Sequence, residues 1–276
     1  MSGATARREG RGRQVARHLR VWRQFVVMAF VRETEYRAHF FLNLLNGIAQ
    51  LALAVATFLL IYRYTDTIAG WTRDEALLLV GIYRVVEGLI GLQITLNMRS
   101  ISGYIRRGEL DFYLLRPISS QFLVSLRRLR LEEIGNVLVG LGLALYAGNA
   151  AGVHWGALAV AEAAGFLLCG VILLYALWFF TVTLSFWLVQ VDTIDLIFFS
   201  LFETARYPVN YYTGAVRALL TFVIPVAFAT TFPAQALLGG ADHRLLPIGA
   251  ALAVVALLGT RAFWNYAVRH YSSASS

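Results

Sequence analysis

The sequence of 276 residues predicts an all-α integral membrane protein. Its expected parts are six transmembrane helices, an amphipathic interface helix near the amino end, a cytoplasmic loop helix, and re-entrant helices before the last span. Three observations carry this. Hydrophobic residues make up 58% of the chain and charged ones only 14%, whereas soluble domains carry about a quarter charged residues. The mean hydropathy is +0.63, and the apolar residues fall in blocks that reach the roughly 20 helical residues needed to cross a bilayer core. Positive charge gathers in two of the segments between and before those blocks.

The amino-terminal segment, 1–39, is not expected to be a cleavable signal: its longest apolar run, Phe25 to Val31, only reaches the lower end of the roughly 7 to 15 residues such a core needs. Instead Val15, Leu19, Trp22, Val26 and Phe30 recur at helical steps with Arg13, Arg17, Arg20 and Arg23 between them. This is the pattern of a helix lying in the membrane surface, and it is also that of an amphipathic helix packed on protein. Five apolar blocks follow at 40–62, 76–97, 134–153, 163–189 and 245–266. A sixth region, 194–240, is apolar but interrupted by Pro208, Gly214, Pro225 and Pro233, too long and too broken for one plain helix. It is read as a short span plus a re-entrant part. One six-span domain thus covers 40–267, with a long loop at 98–133, a re-entrant region at 207–240 and a tail at 268–276.

Orientation follows from arginine, since Arg and Lys near span ends stay on the cytoplasmic side. All 24 basic residues are Arg. Arg7, Arg8, Arg11, Arg13, Arg17, Arg20, Arg23, Arg32 and Arg37 precede the first span, and Arg99, Arg106, Arg107, Arg116, Arg127, Arg128 and Arg130 lie in the loop 98–133. Both segments are expected in the cytoplasm, and six crossings then put both termini there. The net charge of +8 reads as topology and contact with acidic lipid headgroups, not as nucleic-acid binding. The Arg-only, Ala-rich usage points to a GC-rich bacterial genome and hence to a bacterial plasma membrane.

Bond-making chemistry finds little support. His18, His39, His154, His243 and His270 lack metal-ligand spacing, no G-x-S-x-G occurs, and Cys169 is alone. Without lysine there is no P-loop. The expectation is no catalytic site, no metal and no cofactor in this chain. Two intramembrane features remain. Asn43, Gly47, Gln50, Ala54 and Thr57 share one face of the first span, with Asn46 beside them, and amides are costly in lipid. That face is either a helix-packing seam or a substrate path. In the next span Arg84 and Glu87 stand three residues apart, near Gly81, Gly88, Gly91 and Thr95. Arg84 lies about 13 Å in from Glu75 at helical rise, so it must be paired, hydrated or turned into the bundle. The pair is either a self-neutralised structural element or a site on a transport path, and Glu203 and Arg206 repeat the spacing.

The segment from Ser102 to Ser119 is the most informative. It mixes Arg106, Arg107, Glu109, Asp111 and Arg116 with Leu110, Phe112, Leu114 and Leu115, and it ends at Pro117. Such a loop helix shows both signs of charge while keeping large apolar side chains for packing, which suits a docking element. Its residues Arg107, Gly108, Glu109, Leu110, Asp111, Leu114, Leu115, Arg116 and Pro117 resemble the R-G-E-L-D-x-x-L-L-R-P loop found in one branch of the permeases of type-2 ABC exporters. The stretches Tyr207-Pro208, Phe222 to Ala227 and Phe232 to Ala234 resemble that branch's region before its last span.

The resemblance implies a membrane-spanning subunit that works beside a second permease, identical or homologous, on two separate ATPase subunits that hold ATP and magnesium. The segment from Ser102 to Ser119 would then be the coupling helix, and 15–37 the family's amphipathic connecting helix. Residues 194–206 would be a short fifth span and 207–240 re-entrant helices. An alternative places the fifth span at 215–232. Substrate would move along the permease interface, with Asn43, Asn46, Gln50, Thr57, Arg84 and Glu87 as candidate path residues. The rival reading from another class is an ion-gradient-driven secondary transporter, which usually shows related halves with broken helices in both.

Overall fold

The computed structural model describes residues 16–31, 37–188 and 192–271. Val15, Arg7, Arg8, Arg11, Arg13, Arg32, residues 189–191 and the end of the tail, 272–276, lie outside the described residues. Helix α1 runs over 16–31. On its protein side Phe25, Val26 and Ala29 pack with Leu92, Leu129 and Leu131, and Val21 packs against the main core. Leu19, Trp22 and Phe30, on the predicted apolar face, are exposed. The helix therefore has one face on the protein and one turned outward.

Helix α2 covers Arg37–Ile61. A hairpin of two-residue strands, β1 (Thr67–Ile68) and β2 (Trp71–Thr72), joins it to the next helix, so the fold departs slightly from all-α. Glu75 accepts the Thr72 backbone N–H at 2.8 Å and caps helix α3, Arg73–Ile90. A π-turn at Gly91–Thr95 carries α3 without a break into α4, Leu96–Arg106. The helix that carries the span expected at 76–97 therefore continues to Arg106. Polar residues here are absorbed by contacts along the helix: Asn97 donates to the Arg128 carbonyl at 2.7 Å and accepts the Arg128 N–H at 3.0 Å. The Arg130 N–H reaches the Leu92 carbonyl at 2.9 Å, within the π-turn. What hydropathy reads as the start of a loop is thus helix stitched to the chain returning from it.

Two short helices, α5 (Asp111–Leu114) and α6 (Ser120–Leu126), lead to α7 (Glu133–Ala150) and α8 (Ala157–Thr183). Helix α7 lies antiparallel against α3 at backbone contact. A Cβ on Gly81 would come within 2.5 Å of the Ala144 nitrogen, and one on Gly140 within 2.8 Å of the Val85 nitrogen. Helix α8 is the centre of the second half, with Phe166, Trp178 and Phe179 fully buried beside Phe228 and Trp264. Glu162, buried near its start, meets the His243 ring at 2.6 Å.

Next come α9 (Asp192–Glu203), α10 (Gly214–Ala218) continued by a π-turn at Leu219–Val223, then α11 (Val226–Ala229), α12 (Thr231–Leu237) and α13 (Leu245–Arg269). Pro225 separates two helical arms, Gly214–Val223 and Val226–Leu237, bent by 64°. The straight span at 215–232 is not what forms. Pro208 lies in the irregular stretch after α9, and Pro233 sits inside α12.

By length and apolarity four helices can cross a membrane: Phe41–Ile61, Arg73–Arg106, Ala157–Phe186 and Leu245–Arg269. The bent pair makes a fifth if its arms form one span. Six were expected. Helix α7 is long enough at 18 residues, but Glu133, Asn136 and Asn149 lower its apolarity and keep it out of the count. Helix α9, the expected short span, has 12 residues, about 18 Å of rise against a core of about 30 Å.

Candidate functional site

Arg84 is the centre of the intramembrane site. Its place on α3 opposite Gly140 brings the guanidinium between three helices, and its side chain is only 7% exposed. Nη1 pairs with Glu87 Oε2 at 2.5 Å and reaches Gln50 Oε1 at 3.4 Å. Nη2 donates to the Gly47 carbonyl at 3.0 Å and to Asn136 Oδ1 at 3.1 Å. Nε is buried and has no partner among the described residues. Charge-assisted bonds of this kind are what make an Arg tolerable at membrane depth.

The network continues along α7 toward its first turn. Asn136 donates to Glu133 at 2.7 Å, Glu133 pairs with Arg130 at 2.9 Å, and Arg130 pairs with Glu132 at 2.8 Å. Polar side chains therefore connect Arg84 to the end of α7 nearest the segment 127–131. Sequence reading found Arg84, Glu87 and Gln50, but it missed Asn136 and Glu133. The available signal was Glu133 and Asn136 at a three-residue step, the same step that drew attention to Arg84 and Glu87.

A cavity of about 350 Å³ opens beside the cluster, lined by Gln50, Ala54 and Thr57 of α2, Tyr83, Arg84 and Glu87 of α3, and Glu203 with Arg206. Arg206 lies over the Tyr83 ring at 5.5 Å and approaches Glu203 only to 3.9 Å. Two arginines and two glutamates so share one small, charge-balanced space. Thr57 bonds its own Leu53 carbonyl at 2.9 Å. Asn43 leaves its Nδ2 buried without a partner among the described residues, and Asn46 is exposed and outside the cluster. Among the described residues no group of three or more His, Cys, Asp or Glu is placed to hold a metal ion.

The second candidate lies where the long helix ends. The segment from Ser102 to Ser119 is not one helix. Helix α4 stops at Arg106, and Gly108 turns the chain with φ of +70°, a left-handed conformation that favours glycine. The Leu110 N–H bonds the Tyr104 carbonyl at 3.1 Å, and one helical turn, α5, follows. Leu110 is fully buried, and Tyr113 is buried against Tyr104 with ring centroids 4.9 Å apart. Arg127 bonds the Tyr113 hydroxyl. Leu114 is half-buried, whereas Phe112 is 70% and Leu115 83% exposed. Of the four apolar residues expected to serve packing, Leu110 and in part Leu114 pack within the chain, and Phe112 and Leu115 do not. Arg106, Arg116 and Pro117 are exposed. Arg107 grips Glu109 with two bonds, at 2.6 and 3.2 Å, and holds its carboxyl below the usual range. The turn thus presents two large apolar side chains, framed by charge, on a rigid buried anchor.

The family model for ABC-2 family transporter proteins matches residues 48–275. No curated protein and no solved structure matches the chain.

Proposed function

Because the chain belongs to the ABC-2 family of transporter proteins, we propose that it is the permease of an ATP-driven exporter whose ATPase subunits dock at residues 106–117. Family membership makes it a multi-pass membrane component of an ABC transporter that works with ATPase subunits. The finer reading is a bacterial plasma-membrane exporter with both termini cytoplasmic, two permeases and two ATPases. In it α7 and α9 complete six membrane segments, and the bent arms around Pro225 form a re-entrant hairpin.

The observation that carries the docking role is the exposure of Phe112 and Leu115 on a turn fixed by the buried Leu110 and Tyr113. The same turn terminates the 34-residue helix Arg73–Arg106, which bears Arg84. A contact that moves the turn would therefore act on the polar cluster through one continuous helix and through the chain of bonds from Arg130 to Asn136. ATP closure on the partner would bias a two-state change of that unit. The path for substrate is proposed along the α2 and α3 faces that carry Gln50, Thr57, Arg84 and Glu87.

The test is affinity purification of the tagged chain from its own cells, followed by an ATPase assay. An ATPase is expected with the native chain and is expected to be lost when Phe112→Ala and Leu115→Ala are combined, or when Glu109 and Asp111 are reversed to Arg. An intact chain that comes down alone, and moves solute on an ion gradient in liposomes, would make the secondary transporter the better reading.

A further inference from the structure

A second and larger cavity, of about 1440 Å³, shares no lining residue with the polar one. It is bounded by α1, the middle of the long helix, α6, α8 and α13. Its volume exceeds the roughly 300–1,000 Å³ of sites built for compact small molecules. Leu89, Leu168, Val171 and Ile172 form its apolar wall. Ala164 and Tyr175 both line it, so it extends along about 16 Å of α8 at helical rise. That length suits a hydrocarbon chain laid along the helix.

Arg17 and Arg261 also line this cavity, and both are exposed. Neither has a hydrogen bond or an ion pair among the described residues, and no carboxylate lines the cavity. Both cations sit close to α6. The ring of His18, next to Arg17, packs edge-on against Phe122 at 4.7 Å. Trp264, one turn beyond Arg261, donates to Ser120 at 3.0 Å. Arg261 lies within the span Leu245–Arg269, eight residues from its end, or about 12 Å. An Arg at that depth must be paired, hydrated or turned into the bundle, and the described chain supplies it no counter-charge.

We propose that this cavity is a binding site for an anionic phospholipid, its phosphate held by Arg17 and Arg261 and an acyl chain laid along α8. A neutral lipid would leave Arg261 without its counter-charge. A free phosphate would leave the apolar length empty. The site does not depend on docking of an ATPase; the orientation proposed above would put it in the cytoplasmic leaflet.

The full chain, purified in a neutral detergent, is offered dioleoyl phosphatidylglycerol, dioleoyl phosphatidylcholine or inorganic phosphate, and retained ligand is read by native mass spectrometry. One phosphatidylglycerol per chain is expected in preference to phosphatidylcholine. Arg17→Gln and Arg261→Gln each weaken that retention by about fivefold, and together they abolish the preference. Leu168→Trp, at an exposed wall position that leaves both arginines in place, expels the lipid by filling the cavity. Equal retention of the two lipids overturns the proposal, as does a preference that survives the double Arg variant. Phosphate held as well as phosphatidylglycerol would show an anion site only and would also overturn it. Lipid retention is measured on the chain alone, so failure to capture an ATPase leaves this result intact.

Discussion

Replacing Gly140 by Ala adds one methyl group where α7 meets α3 at backbone contact. The new carbon would lie 2.8 Å from the Val85 nitrogen and 2.9 Å from the Gly81 oxygen. Neither is the flexible end of a side chain, so the helices must separate by about 0.6 Å to reach ordinary contact, and overpacking of this sort costs about 1–3 kcal/mol. The same movement stretches the 3.1 Å bond from Arg84 to Asn136 to about 3.7 Å, past useful hydrogen-bond range. Loss of a bond to a charged group adds about 1.5–3 kcal/mol. Against this stands a gain of up to about 1 kcal/mol in helix propensity. The net is a loss of about 2–5 kcal/mol, or roughly 4–20 °C in unfolding temperature. Gly142, two residues on, has open space around its Cβ position, so Gly142→Ala keeps the propensity gain and incurs no clash. Thermal unfolding of the purified variants in detergent, followed by tryptophan fluorescence, compares them directly. If Gly140→Ala unfolds at the same temperature as Gly142→Ala, the backbone contact and its coupling to Arg84 are refuted.

Arg84→Gln, which strands the carboxylate of Glu87 and the carbonyl of Gly47, is expected to destabilise by about 3 kcal/mol. Glu87→Gln should cost less in the same unfolding assay, because Glu87 is 36% exposed and water replaces its partner. In the turn, Leu110→Ala is expected to cost about 2–5 kcal/mol, while Phe112→Ala and Leu115→Ala leave the unfolding temperature unchanged. Equal sensitivity of all three would mean that the exposed pair is packed. The Arg107–Glu109 pair should persist as pH falls past the usual glutamate value of about 4.3. Its contribution is complete above that value and is lost only as pH drops through the depressed one. Carboxyl titration of Glu109 by NMR reads this, and a normal titration would contradict the bidentate geometry.

Local signals were legible and distant ones were not. Glu87 could be assigned to Arg84 because a three-residue step fixes neighbours on a helix. Asn136 is 52 residues away from Arg84, and only the meeting of Gly81 and Gly140 brings its helix into reach. The break at Pro225 could be foreseen from proline alone, although its 64° angle could not. The end of the helix that carries the second span was read too early, because Arg99, Ser100 and Ser102 look like loop residues. Helix persists there since Ser100 bonds the Leu96 carbonyl at 2.7 Å and Asn97 secures the returning chain. Lone cations such as Arg17 and Arg261 carry no sign in the sequence that they face one cavity.

The helix Arg73–Arg106 has 34 residues, which at 1.5 Å each is a reach of about 51 Å. A hydrocarbon core of about 30 Å leaves some 20 Å of it outside, and an ordinary tilt of about 20° shortens the whole by only about 3 Å. Headgroups occupy the first 5–7 Å or so of that overhang. Arg73, Asp74 and Glu75 take about 4 Å of it at the other end, so the turn at Gly108 stands off from the bilayer surface by about one and a half helical turns. A subunit arriving there meets protein before it meets phospholipid, and need not displace lipid to bind. In sealed vesicles with that side outward, a protease should have the same clear approach to Phe112 and Leu115.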